Sequence, residues 1–110
     1  MDAETTLVKI KDQIAKNPVI LYMKGSASAP QCGFSLKAVQ CLQACGTPFE
    51  TVDVLENPDI RATLPKYANW PTFPQLYING ELIGGCDILL EMYQQGELQT
   101  LLKQIYTHSN

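Results

Sequence analysis

The chain has 110 residues, a formal charge of −3, and a composition that is 45% hydrophobic and 17% charged. That length predicts one compact domain, 1–110, and the apolar content argues against intrinsic disorder. The eight Lys and Arg residues form no run, which argues against nucleic acid as a partner, and the longest apolar run, Val19 to Met23, is far below the roughly 18 residues of a membrane span.

Taken in chain order, residues 5–16 place Leu7, Ile10 and Ile14 at helical spacing, and Asn17-Pro18 ends that helix. Val19-Ile20-Leu21-Tyr22-Met23 is a short continuous apolar run bounded by Gly25, the pattern of a strand buried on both faces. GSASAPQ, residues 25–31, reads as a loop ending at Cys32. Ala38, Val39, Leu42 and Cys45 then mark a helix stopped by Gly46. Phe49 to Val54 reads as a second strand, parallel to the first because a helix lies between them. Asn57 or Pro58 starts a further helix with Ile60, Leu64 and Tyr67 on one face. Gln75 to Ile78, Asn79-Gly80 and Glu81 to Ile83 spell a tight antiparallel hairpin. Residues 87–95 look helical, and Leu98, Leu101, Leu102 and Ile105 form a last amphipathic helix. The order predicts an α/β protein with a central mixed sheet covered by helices on both faces.

Four cysteines, Cys32, Cys41, Cys45 and Cys86, could suggest two disulfides. The apolar core is ample without them. Asp2, Glu4, Lys9, Lys11 and Asp12 precede any apolar run, which is unlike a signal peptide, so a reducing cytosolic location is expected. A zinc site has little support: the one histidine, His108, lies in a polar tail, and no pair of Cys-x-x-Cys knuckles exists.

Cys32 stands where a loop enters a helix, outside the carboxyl end of the first strand. Open α/β sheets bind ligands at such places. A helix N-terminus favours thiolate over thiol, which makes Cys32 the candidate nucleophile. In Cys32-Gly33-Phe34-Ser35 a hydroxyl occupies the position of a resolving thiol, so no disulfide can close within the motif. A partner thiol would have to come from Cys86, Cys41, Cys45, a small molecule or a second chain. Cys41 and Cys45, four apart on a helix, share a face; such a pair could be half a metal site but reads better as small core or interface residues.

CGFS after a buried strand resembles the monothiol glutaredoxins. Met23-Lys24-Gly25, Trp70-Pro71-Thr72-Phe73-Pro74 and Gly84-Gly85-Cys86-Asp87 follow the family order, so the resemblance spans nearly the whole chain. It implies a thioredoxin fold: a four-stranded mixed β-sheet flanked by helices, with an extra N-terminal helix. It also implies a cis peptide at Phe73-Pro74, with Trp70-Pro71 as the competing candidate. Glutathione would pair with the Phe73 backbone in the Thr72-Phe73-Pro74 segment. Its carboxylates would meet Lys24, Arg61 and the Cys86-Asp87 turn, with Gly84-Gly85 allowing close backbone approach and its thiol beside Cys32. Asp87 could alternatively serve only as a helix cap, and Cys86 could pair with Cys32 under oxidation.

Three functions follow. The leading one is an iron–sulfur carrier. Cys32 and a glutathione thiol from each of two protomers would supply the four thiolates of a 2Fe-2S cluster. The family resemblance adds BolA-family proteins and iron–sulfur acceptor proteins as partners of this cluster-bridged homodimer. The second is a glutathione-dependent oxidoreductase acting on mixed disulfides, an activity the resemblance implies is weak. The third is a thioredoxin-like interaction module with an inert cysteine.

Overall fold

The computed structural model describes residues 2–107; His108 lies outside them. Helix α1 (Ala3–Lys16) starts two residues earlier than its apolar spacing marks, because the Asp2 carboxylate caps it by accepting the Thr5 N–H at 2.8 Å. Strand β1 (Val19–Met23) follows Pro18 and is buried at every position. Helix α2 (Gly33–Ala44) leads to β2 (Glu50–Asp53), parallel to β1, and helix α3 (Pro58–Ala68) leads to β3 (Gln75–Ile78), antiparallel to β1. Strand β4 (Glu81–Gly84) completes the sheet in the order β2-β1-β3-β4, and α4 (Cys86–Gln94) and α5 (Glu97–Thr107) end the fold. The architecture is that of the thioredoxin fold with an added first helix.

The unbroken apolar run of β1 has a simple cause. Successive side chains of a strand point to opposite faces. Val19, Leu21 and Met23 join Ala38, Val39 and Leu42 of α2, Leu89 of α4, and Leu98 and Leu102 of α5. Ile20 and Tyr22 join Ile10 and Ile14 of α1 and Ile60 and Leu64 of α3 on the other face. Both faces are covered, and the one hydroxyl among these side chains, that of Tyr22, donates to the Gln13 side-chain oxygen at 2.8 Å. Strand β2 lies at the sheet edge and is only partly buried, and it is shorter than the apolar pattern at 49–54 suggests. The hairpin turns through Asn79 and Gly80, both with positive φ (49° and 83°), the geometry that Asn-Gly favours.

One expectation for the helices needs correction. Tyr67 does not join Ile60 and Leu64 in the core. It belongs to the last turn of α3, just before the left-handed Asn69, and is 45% exposed with the Lys11 ammonium 5.8 Å from its ring centroid. Thr6, polar and absent from the apolar pattern, is fully buried. Its hydroxyl donates to Asp59 at 3.3 Å, and Lys9 pairs with the same Asp59 oxygen at 2.6 Å. This carboxylate therefore ties α1 to the first turn of α3.

The hydrogen bond from Lys9 holds the Asp59 carboxyl below its ordinary value of 3.8, with smaller help from the Ile60 N–H. A lowered folded-state value contributes stability that is complete above 3.8 and lost as pH falls through the folded value. The stability gap between the parent and Asp59→Asn should therefore close as pH drops below about 4 in urea titrations. A gap constant with pH would show that the seam does not depend on the Asp59 charge.

Candidate functional site

Beyond Met23 the chain leaves the sheet and is pinned at once. The Asp53 carboxylate accepts the N–H groups of Gly25 and Leu55, each at 2.9 Å. The Gln31 N–H returns to the Lys24 carbonyl at 2.9 Å and closes the loop. Gly25 has φ +93°, and a Cβ there would lie 2.6 Å from the Ala29 oxygen and the Gln31 nitrogen. Only glycine fits a loop closed so tightly.

That loop delivers Cys32 as the N-cap of α2, with extended backbone (φ −153°, ψ 146°) and a half-buried side chain. No side-chain hydrogen bond caps the helix, so its first-turn amides act electrostatically on the Cys32 sulfur. Burial pushes this thiol up. It is outweighed by the Ser35 N–H, the Ser35 hydroxyl, the Phe34 N–H and the Lys24 charge, which together hold it below its ordinary value. Ser35 is fully buried, and its oxygen accepts the Lys24 N–H at 3.1 Å. Its own proton remains available to the sulfur.

A second wall comes from the end of α3. Asn69 turns left-handed (φ 52°) and the Trp70 N–H donates to the Pro65 carbonyl at 3.1 Å, reversing the chain into Trp70–Pro74. The Phe73-Pro74 peptide is cis; Trp70-Pro71 is not.

The third wall is the β4–α4 junction. Gly84 has φ +149°, and a Cβ there would meet Ile88 Cδ1 at 2.6 Å; a Cβ on Gly85 would meet the Pro74 oxygen at 3.2 Å and the Trp70 indole nitrogen at 3.5 Å. These glycines therefore permit close packing within the protein itself. The N-cap of α4 is Gly85, not Asp87, which lies in the first turn. A glycine cap offers no side chain, so the first amides of α4 stay free.

The three walls enclose a groove of about 680 Å³ lined by all nine residues singled out from the sequence: Lys24, Cys32, Arg61, Thr72, Phe73, Pro74, Gly85, Cys86 and Asp87. It also takes in Phe34, Pro65, Trp70, Pro71 and Ile88. Trp70 and Pro71 stood in a motif only as the competing candidate for the cis peptide, with no role in the site. Phe34, 59% exposed beside Cys32, could have been found as a large apolar residue in the first turn of α2. Ile88 carries no local signal, since only the packing of β4 on α4 brings it here.

The cysteines are sorted by environment. Cys86 is buried at the groove, and its thiol is pushed up by burial and then by the Asp87 charge. Burial likewise raises Cys41 and Cys45. Among the described residues all four cysteines are free and no cluster of three or more His, Cys, Asp or Glu could hold a metal ion. No helix of the described residues is long and apolar enough to cross a membrane.

The sequence profile of the glutaredoxin family matches residues 19–83. The chain is 68% identical over 100 residues to glutaredoxin 4 of Escherichia coli K12, covering 91% of this chain and 87% of that one. It belongs to the glutaredoxin family. Among solved glutaredoxins, reduced apo GrxS14 of poplar is 50% identical with a TM-score of 0.73, covering 92% of this chain and 90% of that one. A monomeric truncated mutant of Trypanosoma brucei 1-C-Grx1 is 34% identical with a TM-score of 0.81, covering 94% and 91%.

Because Cys32 alone has a lowered thiol, iodoacetamide at about pH 7 should label it well ahead of Cys41, Cys45 and Cys86. Ser35→Ala should shift the alkylation midpoint of Cys32 to higher pH. It also leaves the Lys24 N–H without its acceptor, costing about 1–3 kcal/mol in stability. An unmoved midpoint would remove Ser35 from the electrostatics of the thiolate.

Proposed function

We propose that this glutaredoxin is of the monothiol type, binds glutathione in the groove, and carries a 2Fe-2S cluster as cargo for iron–sulfur assembly and transfer. The observation that carries this reading is one favoured thiolate, Cys32, lining the groove, with a fully buried serine rather than a second thiol three residues on at position 35.

Glutathione is a tripeptide with two carboxylates, an amine and a thiol. Lys24 and Arg61 offer cations to one carboxylate, and the free amides at Cys86 and Asp87 suit the other. The Phe73 backbone offers strand-like pairing to an extended peptide. With its backbone and carboxylates so held, the glutathione thiol would lie beside Cys32.

Two-iron clusters commonly take four thiolates. Each protomer offers Cys32 and its glutathione, so two protomers complete the set. With Ser35 in place of a thiol, no internal disulfide competes with metal ligation. A ligand set that is half small molecule also favours release to acceptor proteins, with BolA-family proteins as further partners. The four free thiols fit a reducing compartment, the cytosol.

The lowered, half-exposed thiol also favours a second reading, removal of glutathione from protein mixed disulfides. The Cys32 thiolate would attack the glutathionyl sulfur and release the protein thiolate. A second glutathione would then attack Cys32–glutathione, giving glutathione disulfide and the free thiolate.

Anaerobic reconstitution with iron, sulfide and glutathione should give a brown dimer that needs both Cys32 and glutathione. A colourless monomer would overturn the cluster reading, and brisk Cys32-dependent turnover in a glutathione-coupled disulfide assay would favour the second. The Lys24→Ala, Arg61→Ala double variant should weaken glutathione binding about tenfold or more; unchanged binding would take both residues out of the site.

A further inference from the structure

The loop that forms the second wall of the groove has little backbone support. Between Trp70 and Pro74, the described backbone bonds outside regular elements include only the one from Trp70 N–H to Pro65. What holds the remainder is a side chain behind the groove. Gln75 is fully buried, and its backbone is fixed in β3 opposite Tyr22 of the central strand. Its amide nitrogen donates to the Trp70 carbonyl at 3.0 Å and to the Thr72 carbonyl at 3.1 Å.

The orientation of that amide is fixed by its surroundings. Two carbonyls require the NH2 end, and the oxygen accepts the Tyr77 hydroxyl at 2.9 Å. Tyr77 is 3% exposed and burial pushes its hydroxyl up to about 12, so it keeps its proton and donates. The ring of Tyr77 in turn packs edge-on against Tyr22, with centroids 5.7 Å apart. A continuous polar path thus runs from the sheet through Gln75 to the loop, with both amide hydrogens used.

We propose that Gln75 is a positioning residue: its amide holds the carbonyls of Trp70 and Thr72 and so sets the Thr72–Phe73 backbone for the peptide of glutathione. The proposal rests on the glutathione reading above. Gln75 does not line the groove and touches no reacting atom, so its effect is transmitted through the loop. Cys32, by contrast, is held through Ser35 and the loop beginning at Gly25, on a different part of the chain.

This separation supplies the test. In Gln75→Glu the shape is kept, but an oxygen replaces the donor facing two carbonyls; in Gln75→Met the size is kept and both donors are lost. The probe is the exchange of Cys32 with glutathione disulfide, giving Cys32–glutathione and free glutathione, measured at equilibrium by mass spectrometry. Both variants should lower that constant by about tenfold, while exchange with hydroxyethyl disulfide, which has no peptide backbone, and the pH profile of Cys32 alkylation should stay as in the parent. Amide hydrogen exchange at Trp70, whose N–H donates to the Pro65 carbonyl, should rise. Should Gln75→Glu fail to fold, Gln75→Met decides. An unchanged glutathione constant in a folded variant would overturn the proposal, as would equal losses with both disulfides. If the parent shows no preference for glutathione over hydroxyethyl disulfide, the glutathione reading fails. Amide exchange at Trp70 then still judges Gln75, and an unchanged rate overturns its role.

Discussion

At the junction of β1 and α2, the Lys24 N–H donates to the buried Ser35 oxygen at 3.1 Å, and the geometry of the groove depends on that bond. Strand β1 is covered on both faces and buried at every position. The bond ties the end of that strand to the first turn of α2, the turn that Cys32 caps. The same hydroxyl helps to favour the thiolate. Ser35 is therefore more than a missing thiol: it is a structural tie whose remaining hydrogen serves the reactive atom.

The groove concentrates cations within a chain of net charge −3. Lys24 and Arg61 line it together with Asp87 and the uncapped start of α4. One end of an extended anionic ligand would thus meet side-chain charge and the other backbone amides. The two kinds of donor differ in stiffness. Lysine and arginine adapt, whereas amides at a helix start are fixed by the helix.

Much of this was legible in the sequence wherever the signal is local. The five apolar residues of β1, the Asn-Gly turn and the helix entry at Cys32 each encode their structure within a few positions. The residues of the groove were found through motifs, because isolated Lys24 or Arg61 would read as surface charges. What escaped depends on distant partners. Thr6 is buried because Asp59, far along the chain, accepts its hydroxyl. Gly84 is needed because Ile88 folds back over it. Gln75, a polar residue in an otherwise apolar strand, acquires its meaning only when the carbonyls of Trp70 and Thr72 arrive above it.

The wall of the groove also contains the only tryptophan of the chain, Trp70. It is half-buried, anchored through its N–H to Pro65 and through its carbonyl to Gln75. With no second indole to dilute it, the ultraviolet emission of the protein is a local optical record of that wall. Its wavelength and intensity respond to the polarity and mobility of one place, where the cis-peptide loop and helix α4 meet.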